Sequence, residues 1–439
     1  MNRKIALFAV IIVFIFSGSV KSSAQSEEKV SLEDCIRIAL KNNTDIVAAK
    51  SNAKIYKSSL ISAWGNFLPS ISATGQWRTR SEELIMFRYK DFVQSKDSYY
   101  YDVNASLPLF TGFSNIGTLK KSKAEARMFD HYLTGTEQEV VLQVKSKYYN
   151  VIKTKELLKV AEETLKASEE ELTRIETMQR IGSVSRAEVF QQKVRVGENK
   201  LALIEAQNAL ANAKTELNFT LGIDVKRKLV PEQESLEFQK VEYDFDELVE
   251  GALKNRVDYL AAKDNVESAR ADIIINRSSY MPRVSLNANY NWFDIRFPDS
   301  KKDLDEFDSY SVSLNLSYSL FDGFSRESNL NRAKASMVSS QAELEQAKRQ
   351  VIMDVTIALQ DLNMAEQNIK VTDENLVASE EDYRLARERY SIGAGTLLEQ
   401  ITAGISLARS KANRIQALYD YKYTLNALEL AVGKLRVVY

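Results

Sequence analysis

The chain repeats itself over two halves of nearly equal length, and this internal repeat limits its possible folds more than any other feature. Ala-Leu-Lys-Asn at 39–42 recurs at 252–255, and Leu-Phe-Thr-Gly-Phe-Ser at 109–114 recurs with one replacement at 320–325. Both recurrences lie roughly 210 residues apart, so the sequence predicts two copies of one unit. We predict repeat 1 over 25–222, a charge-rich linker or surface insert over 223–244, and repeat 2 over 245–439.

The first 24 residues have the three parts of a secretory signal peptide. Arg3 and Lys4 give a positive start, residues 5–16 form an apolar run, and Ser22-Ser23-Ala24 offers the small residues that signal peptidase requires. An uncleaved membrane anchor is the alternative, but a spanning helix needs about 20 apolar residues and this run is shorter. We therefore expect residues 1–24 to be removed and the mature chain to leave the cytoplasm.

The charged residues nearly balance, and this argues against one class of partner. With 59 Lys and Arg against 60 Asp and Glu, the chain lacks the positive excess that nucleic-acid binding normally requires. Cys35 has no second cysteine for a disulfide, and Cys35 and His131 alone are too few for the usual zinc sites. We expect His131 to be an exposed helical residue, because no nucleophile motif accompanies it. The sequence predicts a protein that is not an enzyme and has no cofactor or metal.

A seven-residue spacing of apolar side chains indicates long helices in both repeats. The series in repeat 1 is Val144, Val151, Leu158, Leu165 and Leu172, and repeat 2 has a similar series from Val355 to Tyr390. Such spacing is typical of a coiled-coil seam. Segments 115–179 and 326–390 contain no proline, so each can form one helix of about 65 residues, roughly 100 Å long. We predict helical hairpins over 115–221 and 326–433.

Polar and apolar residues alternate in four segments that we predict to be strands. From 310 to 320, even-numbered positions are Tyr, Val or Leu and odd-numbered positions are Ser or Asn. The predicted strands cover 70–79, 99–110, 283–293 and 310–321, with loops at 80–97 and 294–308. A tilted strand of about ten residues can cross a bilayer. A soluble β-sandwich is the alternative, but the signal peptide and the weakly charged polar face favour a membrane.

Four strands are too few to close a transmembrane barrel within one chain. The smallest such barrels have about eight strands, and an open strand edge in lipid leaves backbone groups unpaired. We therefore expect the strands of several subunits to be pooled. Two other classes remain open: a general porin, which would need more strands and no long helices, and a periplasmic coiled-coil scaffold, which would not associate with the outer membrane.

Two pairs of motifs resemble a known family. Leu-Phe-Thr-Gly-Phe-Ser at 109–114 and Leu-Phe-Asp-Gly-Phe-Ser at 320–325 lie at predicted strand-to-helix junctions, and Arg180-Ile181-Gly182 and Tyr390-Ser391-Ile392-Gly393 lie at predicted helical tips. With the repeated order of helix, strand, strand, long helix, tip and return helix, they resemble the TolC family of outer-membrane efflux proteins over essentially the whole mature chain.

The resemblance implies a mainly helical fold with a membrane β-barrel. A homotrimer would form a twelve-stranded barrel in the outer-membrane lipid of a Gram-negative bacterium, continued by a twelve-helix α-barrel across the periplasm. A periplasmic adaptor protein would dock at the tips and connect this passive channel to an inner-membrane RND or ABC pump. The chain has no nucleotide-binding glycine loop, so energy must come from such a partner. The sequence leaves the cargo open among drugs, other small molecules and secreted proteins.

The resemblance also assigns candidate roles to single residues. Gly112 and Gly323 would permit the strand-to-helix turns, and Ser114 and Ser325 could cap the helices that follow. The residues expected to form the tips and dock the adaptor are Gly182, Ser183, Ser185, Gly393, Ala394 and Thr396.

Three further residues are candidates for a periplasmic gate. We hypothesise that Glu399 lines a constriction, where a ring of carboxylates favours cations, and that Glu188, hydrogen-bonded to Tyr390, helps to hold the tips closed. The alternative is that both acids are ordinary residues near a helix N-terminus, where they suit the helix dipole. The family often has a second acid at the position of Thr402, so its absence here weakens the case for a strong acidic double ring.

Overall fold

Two helices of 67 residues each dominate the computed structural model, which describes residues 28–88, 91–232, 243–298 and 307–435. The predicted signal peptide and residues 233–242 of the predicted linker lie outside the described residues. The helices of the described part are α1 (Leu32–Asn42), α2 (Thr44–Gly65), α3 (Ser114–Arg180), α4 (Arg186–Thr220), α5 (Phe245–Asn255), α6 (Val257–Arg277), α7 (Ser325–Ser391) and α8 (Leu397–Ala431). The mainly helical fold predicted from the sequence is confirmed.

The long helices α3 and α7 begin and end within one residue of the predicted segments 115–179 and 326–390. At 1.5 Å per residue, each is about 100 Å long. Ion pairs join α3 to α4 in antiparallel order, with Glu176 contacting Lys193 and Glu169 contacting Lys200. In the part of the chain that is described, no helix is both long and apolar enough to span a membrane.

A four-stranded antiparallel sheet joins the two repeats. Its strands are β2 (Ser70–Arg88), β3 (Asp91–Phe110), β5 (Arg283–Asp294) and β6 (Asp308–Ser317), and they lie in that order. Because β3 of repeat 1 pairs with β5 of repeat 2, the repeats share one sheet whose edges are β2 and β6. A separate short parallel pair joins β1 (Glu28–Val30) to β4 (Leu229–Pro231). β4 lies within the predicted linker, and its Leu229 belongs to the core cluster of repeat 1.

The predicted loop at 80–97 is wrong, because β2 and β3 continue almost to the hairpin turn. Glu82 and Glu83 interrupt the alternation in the sequence, and the structure absorbs this interruption as a change of register between Thr79 and Leu84. Beyond it, Phe87 and Phe92 stack edge to face with centroids 5.4 Å apart, which favours strand pairing over a loop. At the other edge β6 ends at Ser317, before the predicted end at 321.

The two faces of the sheet differ sharply in polarity. Val103 pairs with Tyr290 and Ala105 with Ala288 on one face, while the intervening Asn104 pairs with Asn289 on the other. The apolar face is open, since Ile71 is 72% exposed and Leu314 is 66% exposed. A wide exposed apolar face is typical of a sheet whose apolar side is covered by a further protein surface or by lipid.

The apolar core lies where the short helices pack against the long hairpins. In repeat 1, α1 packs on α3 and α4 around Val144, Tyr148 and Leu217. In repeat 2, α5 packs on α7 and α8 around Val355 and Leu428. Each hairpin is therefore fixed at the end of its return helix, whereas its tip lies far from this core.

A pair of glycines explains why the recurring Ala-Leu-Lys-Asn segments face the ends of the return helices. Gly222 and Gly433 have φ of 69° and 73°, in the left-handed region. A Cβ at 222 would lie 2.6 Å from the carbonyl oxygen of Asn42, and one at 433 would lie 2.9 Å from the carbonyl carbon of Asn255. Only glycine allows this approach without displacing the backbone.

Candidate functional site at the helical tips

Each tip is a tight turn between a long helix and its return helix. Gly182 and Gly393 have φ of 77° and 78°. The N–H groups of Ser183 and Ala394 donate back to the carbonyls of Met178 and Arg389, both at 2.9 Å. This is the Schellman pattern, in which a glycine in the left-handed region ends a helix. Gly182, Gly393, Ser183 and Ala394 are all exposed, so both predicted tips present their turn to solvent.

The predicted tip residues Ser185 and Thr396 are the N-caps of α4 and α8. The Ser185 hydroxyl accepts from the N–H of Glu188 at 3.3 Å, and Glu188 Oε1 accepts from the N–H of Ser185 at 3.3 Å, completing a capping box. The Thr396 hydroxyl accepts from the N–H of Glu399 at 3.2 Å. Both acids therefore lie in the first helical turn, where they also suit the helix dipole.

Tyr390, at the end of α7, contacts residues of both tips. Its side chain is 7% exposed and lies in an apolar cluster with Ile175, Val189 and Leu397. Its hydroxyl donates to Glu188 Oε2 at 2.9 Å, so the structure contains the hydrogen bond that the sequence analysis expected. Burial, reinforced by Glu188, raises the pKa of Tyr390, so the phenol remains a donor at neutral pH.

Two residues of α3 complete this contact and escaped the sequence analysis. The Arg174 guanidinium carbon lies 5.3 Å from the centroid of the Tyr390 ring, within range of a cation–π interaction. Arg174 is held by Glu171 through two hydrogen bonds of 3.0 and 2.5 Å. An acid and a base three residues apart are common on helix surfaces, so no signal in the sequence singles out this pair.

Glu399 lies apart from this cluster. Its carboxylate is 3.7 Å from the guanidinium of Arg389 on the same tip, and its side chain is 47% exposed. The structure therefore brings Glu188 and Tyr390 together and leaves Glu399 on the solvent side of the second tip.

At the strand-to-helix turns, the glycines take the expected conformation but the serines do not cap. Gly112 and Gly323 have φ of 64° and 68°. Ser114 and Ser325 are the first residues of α3 and α7, and neither helix has a side-chain bond from its N-cap residue.

The residue before each glycine supplies the missing acceptor. The Thr111 hydroxyl accepts from the N–H of Asn115 at 3.2 Å, and Asp322 Oδ2 accepts from the N–H of Arg326 at 3.1 Å. In each turn the phenylalanine after the glycine also has positive φ, 72° for Phe113 and 65° for Phe324. The two left-handed residues bend the chain so that the side chain preceding them faces the free N–H groups of the helix.

The single histidine and cysteine lie outside the tips. His131 is helical but half-buried rather than exposed, with its Nε2 3.5 Å from Asp264 on α6. The expectation of an exposed His131 is therefore wrong, because α6 packs on this side of α3. Cys35 is fully buried in the core, and this burial, with the charge of Asp34, raises the pKa of its thiol to about 12.

The chain is similar in sequence to outer membrane efflux proteins over both of its repeats. The model of the family described as "Outer membrane efflux protein" matches residues 35–223 and 248–434. The chain is 20% identical to the outer membrane protein TolC of Vibrio cholerae over 420 residues, covering 95% of this chain and 93% of the relative. It is 25% identical to a probable efflux pump outer membrane protein, TtgC of Pseudomonas putida, over 59% of this chain and 53% of that protein.

A solved structure shows the same fold. The CmeC outer membrane channel of Campylobacter jejuni superposes with a TM-score of 0.78 at 16% identity, over 92% of this chain and 85% of that one. Because the family model covers both repeats and almost all of the described residues, the resemblance to the TolC family is confirmed, and the chain belongs to the outer membrane efflux protein family.

Proposed function

We propose that three copies of the chain form one continuous tunnel, in which a twelve-stranded barrel opens at the cell surface and a twelve-helix barrel extends through the periplasm. Membership of the efflux family makes the protein an outer-membrane channel rather than an enzyme. The observation that carries the trimeric tunnel is the open four-stranded sheet with one polar and one apolar face, joined directly to two hairpins about 100 Å long.

The polarity of its faces and its unpaired edges favour the assembly of this sheet with sheets of other subunits. Its apolar face, with residues such as Val312 and Leu316 about two-thirds exposed or more, suits lipid, and its Ser/Asn face suits a water-filled lumen. The edges at β2 and β6 need hydrogen-bonding partners in a membrane, and strands of neighbouring subunits supply them. The hairpins of the three subunits then pack side by side, through their side chains, into a closed cylinder.

The tips are the part of the tunnel that meets other proteins in this proposal. Ser183 and Ala394 are exposed beyond the last helical turn of each hairpin, and Gly182 and Gly393 expose their backbone. TtgC is named as the outer membrane protein of an efflux pump, which supports docking of a periplasmic adaptor and, through it, an inner-membrane RND or ABC pump. The pump then selects the cargo, and the tunnel conducts it without its own energy source.

The closed state of the tunnel is assigned to the contact between tips. Tyr390 joins the second hairpin to Glu188 of the first, and its ring lies in an apolar cluster. In a trimer three such contacts act in parallel. Glu399, on the solvent side of its tip, is proposed to line the constriction as one of three carboxylates, which attract cations.

Site-specific crosslinking in cells tests the assembly. In a variant with Cys35 replaced by alanine, a photocrosslinker attached at Ser183→Cys or Ala394→Cys should capture a periplasmic adaptor, identified by mass spectrometry. The same reagent at Lys41→Cys, an exposed position on α1, should not. Native mass spectrometry of the purified protein should give a trimer. A monomer, or a trimer whose tips capture nothing in cells, would contradict the proposal.

Conductance tests the role of Glu399. Glu399→Ala channels in planar bilayers should lose cation preference and sensitivity to block by divalent cations. Glu374→Ala, which removes an exposed acid on α7, should leave both unchanged. Equal selectivity and block in wild-type and Glu399→Ala channels would remove Glu399 from the constriction.

A further inference from the structure

A cavity of about 290 Å³ separates the two hairpins beyond the tip cluster. It is lined by α3 and α4 of repeat 1 and by α7 and α8 of repeat 2. Leu397, a member of the tip cluster, and Lys411 both line it. They are about 20 Å apart along α8, so the cavity is an elongated slot rather than a small void.

Three buried amide side chains that line the slot carry an unpartnered atom. Gln192 is 2% exposed, Gln400 is 5% exposed and Asn199 is 6% exposed. Among the described residues, Gln192 Oε1, Gln400 Oε1 and Asn199 Nδ2 are buried atoms without a hydrogen-bond partner. Gln192 Nε2 donates to the Ser168 carbonyl at 2.8 Å, which fixes the orientation of that amide. Buried polar atoms nearly always bind protein or ordered water.

The charges around the slot are already neutralised. Glu163 pairs with Lys411 across the hairpins at 3.7 Å, and Arg195 pairs with Glu198 at 3.1 Å. Glu171 is held by Arg174. Among the described residues, the unpartnered buried atoms of the slot are therefore two neutral hydrogen-bond acceptors and one neutral donor. Such a set of neutral atoms gives no preference for an ion.

The spacing of the amides indicates what fills the slot. Gln192 and Asn199 lie seven residues apart on α4, about 10 Å along its axis, so one small group cannot reach both. A chain of water molecules can, and a cavity of about 290 Å³ has room for several of them. We propose that the slot is a binding site for ordered water molecules, which form hydrogen bonds with the buried amides of both hairpins.

This inference rests on the proposed function, since its consequence concerns the gate. Water-mediated contacts can be exchanged for contacts with bulk water when the hairpins separate. The hydrated slot therefore adds little resistance to opening, and closure depends on the apolar cluster around Tyr390 at the tip. Replacing an unpartnered amide by an apolar side chain of similar length removes this hydration and strengthens the closed contact.

Gln400→Met tests the inference. The open fraction of single channels in planar bilayers should fall about fivefold or more. The matched control is Gln416→Met, on the same helix, whose amide donates to Asp420 at 2.5 Å on the surface; it should change the open fraction by less than about twofold. Asn199→Leu should act like Gln400→Met, and it serves as the second variant if one of them assembles poorly.

A density map that resolves buried water gives an independent readout. Wild-type protein should show ordered water within about 3 Å of Gln192 Oε1 and Gln400 Oε1, and the Gln400→Met map should lack the second site. An empty or collapsed slot, or an open fraction unchanged in both variants, would overturn the inference. Wild-type protein that does not conduct would instead refute the proposed channel, so the two failures are distinguishable.

Discussion

Removing one hydroxyl from the tip contact should open the channel. Tyr390→Phe keeps the ring in the cluster with Ile175, Val189 and Leu397, but it deletes the 2.9 Å hydrogen bond to Glu188. Since this bond joins the second hairpin to the first, its loss weakens the closed state and leaves the fold of each hairpin unchanged.

The size of the effect follows from the surroundings of the bond. A hydrogen bond to a charged group contributes about 1.5–3 kcal/mol. Glu188 is half-buried and keeps its two contacts with Ser185, at 3.3 and 3.2 Å, so the carboxylate is not left unpaired. We therefore expect the lower part of the range, about 1.5–2 kcal/mol per protomer, which is roughly a 12- to 30-fold rise in the open-to-closed ratio for each of the three contacts.

Single-channel recording with a double-mutant cycle measures this coupling. Glu188→Gln should also raise the open fraction, and Glu188→Gln with Tyr390→Phe should add little to either change, because both remove the same interaction. Tyr423→Phe, at a residue that is 46% exposed on α8, is the control. Fully additive effects, or open fractions within twofold of wild type, would refute the reasoning.

The pKa of Tyr390 gives the pH dependence of the same contact. Burial and then Glu188 raise this pKa above the ordinary tyrosine value. The stabilisation is therefore complete below the unfolded-state pKa and is lost only as the pH rises through the raised value. Between pH 6 and 9, about the range of bilayer experiments, Tyr390 should contribute no pH-dependent opening.

Three further predictions concern the scaffold. Gly222→Ala should cost about 2–4 kcal/mol and Gly182→Ala about 1 kcal/mol, because both have positive φ but only a Cβ at 222 would meet a carbonyl oxygen, 2.6 Å away; equal losses in unfolding followed by circular dichroism would contradict this. In the same assay, Asp322→Ala should cost about 1 kcal/mol and Ser325→Ala only a few tenths, and the reverse order would restore the serine as the cap. Cys35 should resist alkylation in the folded protein and react after denaturation, because burial raises its pKa to about 12; rapid labelling of folded protein in mass spectrometry would contradict this.

Patterns within single segments of the sequence were sufficient to predict the long helices and the turns at their tips. A seven-residue apolar period without proline predicts a helix regardless of its partners, and Gly182 and Gly393 mark the only changes of direction that such helices need. The strand faces were equally predictable, because alternation such as that from 310 to 317 depends on one strand alone.

Features that depend on contacts between distant segments could not be predicted in the same way. The caps Thr111 and Asp322 work only because two left-handed residues follow them, and α6 buries His131 from across the fold. In the sequence, Arg174 is indistinguishable from other surface residues that form an i, i+3 ion pair. Its role depends on the Tyr390 ring, which comes from the other repeat. Of the residues that form the contact between the two tips, the sequence therefore identified only Tyr390 and Glu188.

Comparison of the two repeats indicates which contacts between tips contribute most to the closed state. Positions 390 and 188 of the contact within the chain correspond, in the other repeat, to Gln179 and Glu399. In the proposed trimer, alternating hairpins would bring Gln179 of one subunit near Glu399 of the next. An amide replaces the phenol there. The proposed seams between subunits thus lack the buried ring that joins the tips within each subunit. We therefore expect each subunit's own pair of hairpins to carry most of the closing free energy of the proposed gate, so that a single substitution at Tyr390 affects all three contacts.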